Sequence, residues 1–440
     1  MKDNRREFIK KSVLGAAGLS IAGNALSSNA FMGANDTVNV LSVGVRSRGQ
    51  ALLSTLSELK NVNIHTICDV DSRVLDERTE QVSSRQKKKP KKLKDFRKAL
   101  ENTDIDAVVI SSPDFTHTPF AIYAMQAGKH VYVEKPVSHN LNEGFLLVEA
   151  QKRYNKLIQI GNQQRSAPTT IQAVKEIREG IIGEPIMAKC WYANNRESIG
   201  IGKKVDVPDW LDWDLYQGPA PRREFKDNIV HYNWHWFRHW GTGEVCNNAL
   251  HELDVCRYAM GVDLPLKVSS KGGRYHHQDD WEFFDTQEAV YTYENQKTIQ
   301  WEGFSCNSLN QYGRGRGSLI YGTKGSVLLT RNGAEYYDLG GKLINENKEK
   351  AYSSTTDLVG AGALEVYHMQ NFMDAIRNGS TLNSGVEDIN YTNAMCHLAN
   401  IAQTLDTELE VDQKTGKIVN NAEAMESWGR EYEPGWELGL

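Results

Sequence analysis

The stretch from Val38 to Asp69 constrains the fold more than any other part of the chain. Val38-Asn39-Val40-Leu41-Ser42-Val43 is a short apolar run that closes in Gly44, Arg48 to Leu59 has helical spacing, and Val62 to Cys68 is a second apolar run ending in Asp69-Val70-Asp71. This pattern predicts a βαβ unit. The Lys-rich stretch Gln86 to Lys94 reads as a solvated connection. Ile105 to Ile110 then predicts a strand ending in Ser111-Ser112-Pro113, Pro119 to Ala127 a helix ending at Gly128, and His130 to Val133 and Leu157 to Ile160 two further strands. Alternation of this kind predicts an α/β, Rossmann-type doubly wound parallel sheet over residues 36–163.

After about residue 165 the text changes character. A helix is predicted from Thr169 to Glu179, Trp- and Tyr-rich text follows, and from Leu266 to Leu329 apolar residues alternate as in strands. Helical spacing returns at Leu364 to Arg377 and Ile389 to Thr404, so residues 164–440 read as an α+β domain on a mostly antiparallel sheet, suited to binding substrate and a second copy of the chain. A length of 440 residues accommodates both units. With 40% hydrophobic and 24% charged residues the chain is neither disordered, collagen-like nor a multi-span membrane protein. A net charge of -5 offers nucleic acid no attraction, so no nucleic-acid partner is expected. The 6 cysteines are scattered with no CxxC spacing, which predicts reduced structural thiols.

At the N-terminus, Arg5-Arg6-Glu7-Phe8-Ile9-Lys10 precedes a weak apolar run from Val13 to Leu26, and Ser28-Asn29-Ala30 provides small residues for cleavage. This resembles a Tat export signal over residues 1–30 and predicts a periplasmic protein with no stable membrane anchor. The Tat route carries folded proteins, which fits a cofactor loaded before export.

Gly44-Val45-Arg46-Ser47-Arg48-Gly49 follows the first strand and opens the first helix. That is the context of a dinucleotide fingerprint, in which a tight turn and a helix N-terminus face the pyrophosphate. Arg46 stands where the middle glycine is expected. Asp69, about 20 residues beyond, is placed to accept the ribose hydroxyls and favours NAD over NADP; an ordinary helix N-cap is the alternative role for it. His231, His235 and His239 recur at i, i+4 and i+8 in an aromatic segment. A metal face is one reading. Helix packing with aromatic walls that stack on a sugar, including His235 and Trp236, is the preferred one, and no metal is expected. His276-His277 reads as a polar turn, while Tyr192 and Arg196, after a predicted strand with Trp191, line either the pocket or the core.

The string Ala127-Gly128-Lys129-His130-Val131-Tyr132-Val133-Glu134-Lys135-Pro136 resembles the diagnostic A-G-K-H-V-x-x-E-K-P of the glucose-fructose oxidoreductase, inositol dehydrogenase and MocA (Gfo/Idh/MocA) family of NAD(P)-dependent enzymes. Ser111-Ser112-Pro113-Asp114 with His117, and Asn247 to Asp254, are supporting matches, and the tail from Val411 to Trp436 is similar to exported members from Bacteroidetes-type bacteria. The resemblance implies that Lys135 is the catalytic lysine and His251 the catalytic histidine. Asn247 falls where the family usually has Asp, one helical turn before His251, and is expected to orient a substrate hydroxyl. It also implies that Ser111, Ser112, Pro113, His117, Glu134 and Gln163 border the cofactor, that Gln164 and Arg165 lie near the substrate, and that the chain forms a homo-dimer or tetramer.

Three functions follow. The first is an NAD-dependent oxidoreductase moving hydride between a sugar or glycoside hydroxyl carbon and a tightly held nicotinamide cofactor, since no free NAD pool exists outside the cytoplasmic membrane. The second is a glycosidase that oxidises transiently, eliminates the aglycone and returns the hydride. The third is a non-catalytic sugar- or cofactor-binding relative, motivated by Arg46 and Asn247. The first requires Lys135 and His251, from different domains, to converge on one cleft with Asp69 farther along it.

Overall fold

The computed structural model describes residues 36–349 and 362–440; the export-signal reading falls on residues 1–30, outside them. Strands and the longer helices are numbered in chain order: β1 (Val38–Val43), α1 (Ser47–Glu58), β2 (Val62–Cys68), α2 (Ser72–Ser83), β3 (Lys91–Leu93), β4 (Ala107–Ile110), α3 (His117–Gln126), β5 (His130–Val133), α4 (Leu141–Tyr154) and β6 (Ile158–Ile160). These strands form one parallel sheet in the order β3-β2-β1-β4-β5-β6. β1 and β4 are buried almost throughout, as a sheet covered by helices on both faces demands. The strand order reverses between β1 and β4, so a crevice opens at their carboxyl ends.

The second half runs α5 (Pro168–Arg178), β7 (Pro185–Asn195), α6 (Leu250–Met260), β8 (Lys267–Gly273), β9 (Thr286–Thr292), β10 (Thr298–Phe304), β11 (Cys306–Asn307), β12 (Arg316–Gly322), β13 (Gly325–Thr330), β14 (Gly333–Asp338), β15 (Leu343–Lys348), α7 (Gly362–Asn378), α8 (Val386–Thr404) and β16 (Leu409–Glu410). Its sheet has the order β15-β14-β13-β12-β7-β10-β9-β8-β16, antiparallel except where β7 and β10 run parallel. α6 and α8 cover one face, where Leu250, Leu253, Cys256, Leu398 and Ala402 are buried against Val268, Tyr291 and Ile320.

One helix from the second half of the sequence joins the first sheet. α7 returns to the first sheet, burying Met369, Phe372, Met373 and Ile376 against Val38, Leu52, Val109 and Tyr132. Four such side chains contribute roughly 6–12 kcal/mol of burial at most, reason enough for the first half to need this helix. Trp436 and Leu438 of the tail likewise pack with Phe120 and Tyr123. All six cysteines are free and buried. Among the described residues no helix is long and apolar enough to cross a membrane.

Candidate active site

The crevice at the switch point is a cleft of about 350 Å³ lined by Gly44, Arg46, Ser47, Arg48, Asp69, Ser111, Ser112, Pro113, His117, Glu134, Lys135 and Asn247, with Tyr216, His231, Tyr232, Trp234 and His235 opposite. Its glycines are dictated by space. Gly44 has φ +74°, and a Cβ there sits 2.5 Å from the Ser112 nitrogen; a Cβ on Gly49 sits 2.0 Å from the Gly44 carbonyl oxygen. Arg46 is different, because its φ of -76° and ψ of -159° suit any L-residue. The departure from G-x-G-x-x-G therefore leaves the turn intact. No side chain caps α1, so the N–H groups of its first turn face the cleft ready for phosphate oxygens.

Asp69 closes the far end. Its carboxylate accepts from Val45 N–H at 2.8 Å and Asp71 N–H at 2.9 Å, and burial raises its pKa to about 6. The N-cap role belongs to Asp71, which accepts from Arg73 N–H at 3.0 Å and Val74 N–H at 3.4 Å. Asp71 also receives His231 Nε2 at 2.9 Å. Around it Ser72 N–H donates to Trp210 O at 2.9 Å and Asp212 N–H to Val70 O at 3.1 Å. The segment from Trp210 to His231 thus straps the second half of the chain onto the loop that carries Asp69.

Lys135, immediately after β5, reaches across to the other half of the chain. Its Nζ donates to the Asn247 carbonyl at 2.7 Å and to Asn247 Oδ1 at 3.0 Å, and burial lowers its pKa. Asn247 therefore holds the lysine rather than offering its oxygen to a substrate hydroxyl, and its Nδ2 turns to Glu244 at 3.3 Å. The turn Val245–Ala249 is a π-turn at the head of α6, which aims the Asn247 oxygens at Lys135. His251 lies one turn on, half-buried, with its pKa well below the usual value because it is desolvated and then repelled by Arg331, Lys135, Arg316 and Arg48. It is a neutral imidazole at neutral pH. Lys135 lines one cleft with Asn247 and Asp69, whereas His251, on which the Lys135 charge acts, is not among the residues lining it.

Several predicted contact residues have other duties. Arg165 is buried, with Nε and Nη2 2.8 and 2.7 Å from the Asp254 carboxylate, and Tyr258 under its guanidinium, so its donors are taken up by this pair. Trp236 is buried against Trp281, ring centres 3.9 Å apart, and faces the core. Gln163 donates to Glu134 Oε1 at 3.0 Å, and Gln164 to Thr330 O at 3.2 Å. Glu134 accepts Arg48 Nε at 2.9 Å, so Arg48 and Glu134 brace each other. His117 is held by Pro136 O and Ser112 O, both at 2.7 Å, and Ser111 Oγ donates to Gly44 O at 2.8 Å. Arg196 is clamped by Glu244 at 2.5 Å and donates to the Tyr232 hydroxyl at 3.0 Å. Tyr192 lies in β7 itself, beneath the Arg316 guanidinium at 5.2 Å.

The three histidines do not share a helix face. Only Asn233–Trp236 forms a 3-10 turn; His231 faces Asp71, His239 meets Pro221 O at 2.7 Å, and His235 lies in the cleft stacked on Trp234 at 3.6 Å, its pKa pushed down to about 3 by burial. The metal-face reading fails on that geometry. Elsewhere His276, Asp285 and Cys306 bring ligand atoms within 4.8 Å of one another. Asp285 is already taken up by Tyr275 N–H, His276 N–H and Thr286 Oγ1.

Asp114 was visible only as part of a motif. It is buried in the cleft wall, accepts Thr242 Oγ1 at 2.6 Å, and burial raises its pKa to about 7 with Lys135 nearby. Tyr232 and Trp234 also went unassigned, since aromatic residues in irregular text carry no period.

Residues 38–162 match the profile of an oxidoreductase family's NAD-binding Rossmann fold, and residues 212–402 match that family's C-terminal alpha/beta domain. The chain belongs to the Gfo/Idh/MocA oxidoreductase family, whose N-terminal domain binds NAD. Among curated relatives it is 31% identical over 211 residues to a glycosyl hydrolase family 109 protein of Shewanella pealeana, a match spanning 44% of this chain and 46%, about half, of that relative. Its fold is similar to levoglucosan dehydrogenase in complex with NADH and levoglucosan (TM-score 0.67, 18% identity, 86% of this chain and 100% of the other). It is also similar to the aldose-aldose oxidoreductase of Caulobacter crescentus complexed with glycerol (TM-score 0.65, 16% identity, 85% and 100%).

Proposed function

We propose that this enzyme oxidises a carbinol carbon of a sugar or glycoside against an NAD that it keeps tightly bound. The observation that carries the reading is Lys135 Nζ fixed on Asn247 in the cleft that also holds Asp69, with a neutral His251 one helical turn after Asn247. Gly44, Gly49 and the uncapped α1 fit the pyrophosphate, and Asp69 the ribose. When bound, NAD supplies the hydride acceptor. His251 takes the hydroxyl proton and becomes imidazolium, while Lys135 donates a hydrogen bond to the same oxygen and stabilises its developing charge. Asn247 is a positioning residue that keeps the ammonium in place. The C–H leaves as hydride and the O–H as a proton, so the carbinol becomes a carbonyl.

Tight retention is supported by the strap from Trp210 to His231 across the Asp69 loop. Export through the Tat route, read from Arg5 to Ala30, makes retention necessary: the cofactor is restored in place by reducing a second sugar. A second reading, transient oxidation followed by elimination and hydride return, is favoured by the likeness to a glycosyl hydrolase family 109 protein. Both use the same residues, and a redox-neutral product profile marks the second. The non-catalytic reading loses the first of its two motivations, because Arg46 needs no glycine geometry. Assembly as a homo-oligomer is part of the proposal, through the open face of the larger sheet, where Trp191, Leu319 and Leu328 lie beneath Tyr321 and Tyr337. Denaturing the purified mature protein and assaying the supernatant tests the reading: near-stoichiometric NAD(H) is expected, and protein that neither contains nor binds NAD refutes it.

A further inference from the structure

The strap and the tail are joined to each other, since Glu433 N–H donates to Pro219 O at 3.0 Å. The tail is also held to the first half of the chain: Arg430 pairs with Glu143 at 2.6 Å, Tyr432 Oη donates to the same carboxylate at 2.8 Å, and Tyr123 Oη donates to Glu437 O at 3.4 Å. Trp436 is thereby laid along Phe120, ring centres 5.9 Å apart and 23° from parallel, with the Arg97 guanidinium 4.6 Å from its ring centre. Tyr216 sits in the short helical turn Trp213–Gln217 of the strap, where Asp212 accepts from Leu215 N–H at 3.0 Å. Its ring stacks on Trp213 at 5.0 Å and leans on Phe115 at 6.1 Å. Both residues line the cleft. Tyr216 is only 6% exposed and Trp436 3%, yet the Tyr216 hydroxyl and the Trp436 ring N–H have no hydrogen-bond partner among the described residues.

A buried donor without an acceptor costs free energy that a folded protein normally avoids, and two of them in the wall of one cleft point to a ligand that supplies the acceptors. Burial raises the Tyr216 pKa well above its ordinary value, so the hydroxyl keeps its proton and can donate. Strand order says which part of a dinucleotide reaches these groups. β3 flanks β2 on the side away from β1, and Lys94, Asp95 and Phe96, which follow β3, line the cleft together with Trp436. With the nicotinamide at Lys135 and a ribose at Asp69, the group beyond that ribose is the adenine base. Its ring nitrogens accept hydrogen bonds and its faces stack on aromatic side chains. Tyr216 stands over the Asp69 loop instead: its N–H donates to Asp212 O at 2.9 Å, and Asp212 N–H donates to Val70 O at 3.1 Å. Its neighbours there are the oxygens of the ribose and phosphate.

We propose that Trp436 and Tyr216 are cofactor-binding residues, Trp436 holding the adenine base and Tyr216 the ribose-phosphate oxygens next to it, so that tail and strap form one outer wall around the ADP half of the dinucleotide. The inference rests on the NAD reading above and adds to it the residues that keep the cofactor in place. Exchange of the resident nucleotide for isotope-labelled NAD in the purified full chain, followed by mass spectrometry of the retained nucleotide, tests it on Tyr216→Phe and Trp436→Phe. Each substitution keeps an aromatic ring and removes one hydrogen-bonding group. Each is expected to speed exchange about three- to tenfold, and the double variant exchanges faster than either. A second readout separates binding from a structural role. Because the hydroxyl is unpaired in the empty fold, Tyr216→Phe is expected to leave the melting temperature of charcoal-stripped protein unchanged or to raise it. An exchange rate within twofold of the parent's in either variant overturns the proposal, and so does stripped Tyr216→Phe protein that melts lower than the stripped parent. Parent protein that retains nucleotide through such a result leaves the NAD reading standing; parent protein that neither contains nor binds NAD removes both.

Discussion

Replacing Lys135 by Met separates a chemical role from a structural one. The ammonium makes two hydrogen bonds to Asn247, at 2.7 and 3.0 Å. Losing two charge-assisted hydrogen bonds costs about 3–6 kcal/mol, while no longer desolvating an ammonium returns several kcal/mol. Met fills most of the same volume, so the net change is expected within about 2 kcal/mol, a melting shift of roughly 5 °C or less. The chemical step loses more. A positioned donor on the oxygen that develops charge is worth about 10²–10³-fold, or roughly 2.7–4 kcal/mol of barrier. The assay mixes nucleotide-loaded protein with an accepted sugar and follows reduced nicotinamide at about 340 nm, alongside bound-nucleotide content and a melting curve. A slowing of less than tenfold at full occupancy refutes the catalytic assignment. A melting point that collapses together with the rate makes Lys135 structural instead.

Gly49→Ala is expected to abolish nucleotide retention, because its Cβ lies 2.0 Å from Gly44 O; the released-nucleotide assay checks it, and full occupancy contradicts the cradle. Asp114 has a pKa raised from 3.8 to about 7, so the folded state keeps a proton that the unfolded chain releases. Its contribution to stability therefore falls as pH rises from about 4 to about 7, by up to about 4 kcal/mol, and Asp114→Asn removes that part of the slope in denaturant titrations across the range. His231→Ala removes the 2.9 Å contact with Asp71, and is expected to speed nucleotide release about tenfold, as read by exchange with labelled NAD; an unchanged rate means the strap does not govern retention.

The first half of the fold was legible because its signals are local. Val38–Val43 and Val62–Cys68 are apolar runs bounded by Gly44 and Asp69, and the observed strands match them residue for residue. The return of α7 to that sheet was not legible, since Met369, Phe372 and Met373 have helical spacing whichever sheet they meet. Lys135 and His251 were reached through the family resemblance, while Arg165 and Trp236 were misplaced for a physical reason. Arginine and tryptophan are as suited to a buried ion pair or a stacked core as to a sugar, and only Asp254 and Trp281, distant in sequence, decide. Periodicity at i, i+4 and i+8 misled for the histidines because Asn233–Trp236 is a single 3-10 turn.

The most direct test of the central claim is a deuterium transfer. Protein purified with its own nucleotide is mixed, without added cofactor, with sugars deuterated at the carbinol carbons, then denatured, and the released nucleotide is weighed by mass spectrometry. Deuterium in the reduced nicotinamide, dependent on Lys135, is the result expected of a resident NAD that takes hydride from a sugar. Nucleotide recovered without deuterium from every sugar tried contradicts it.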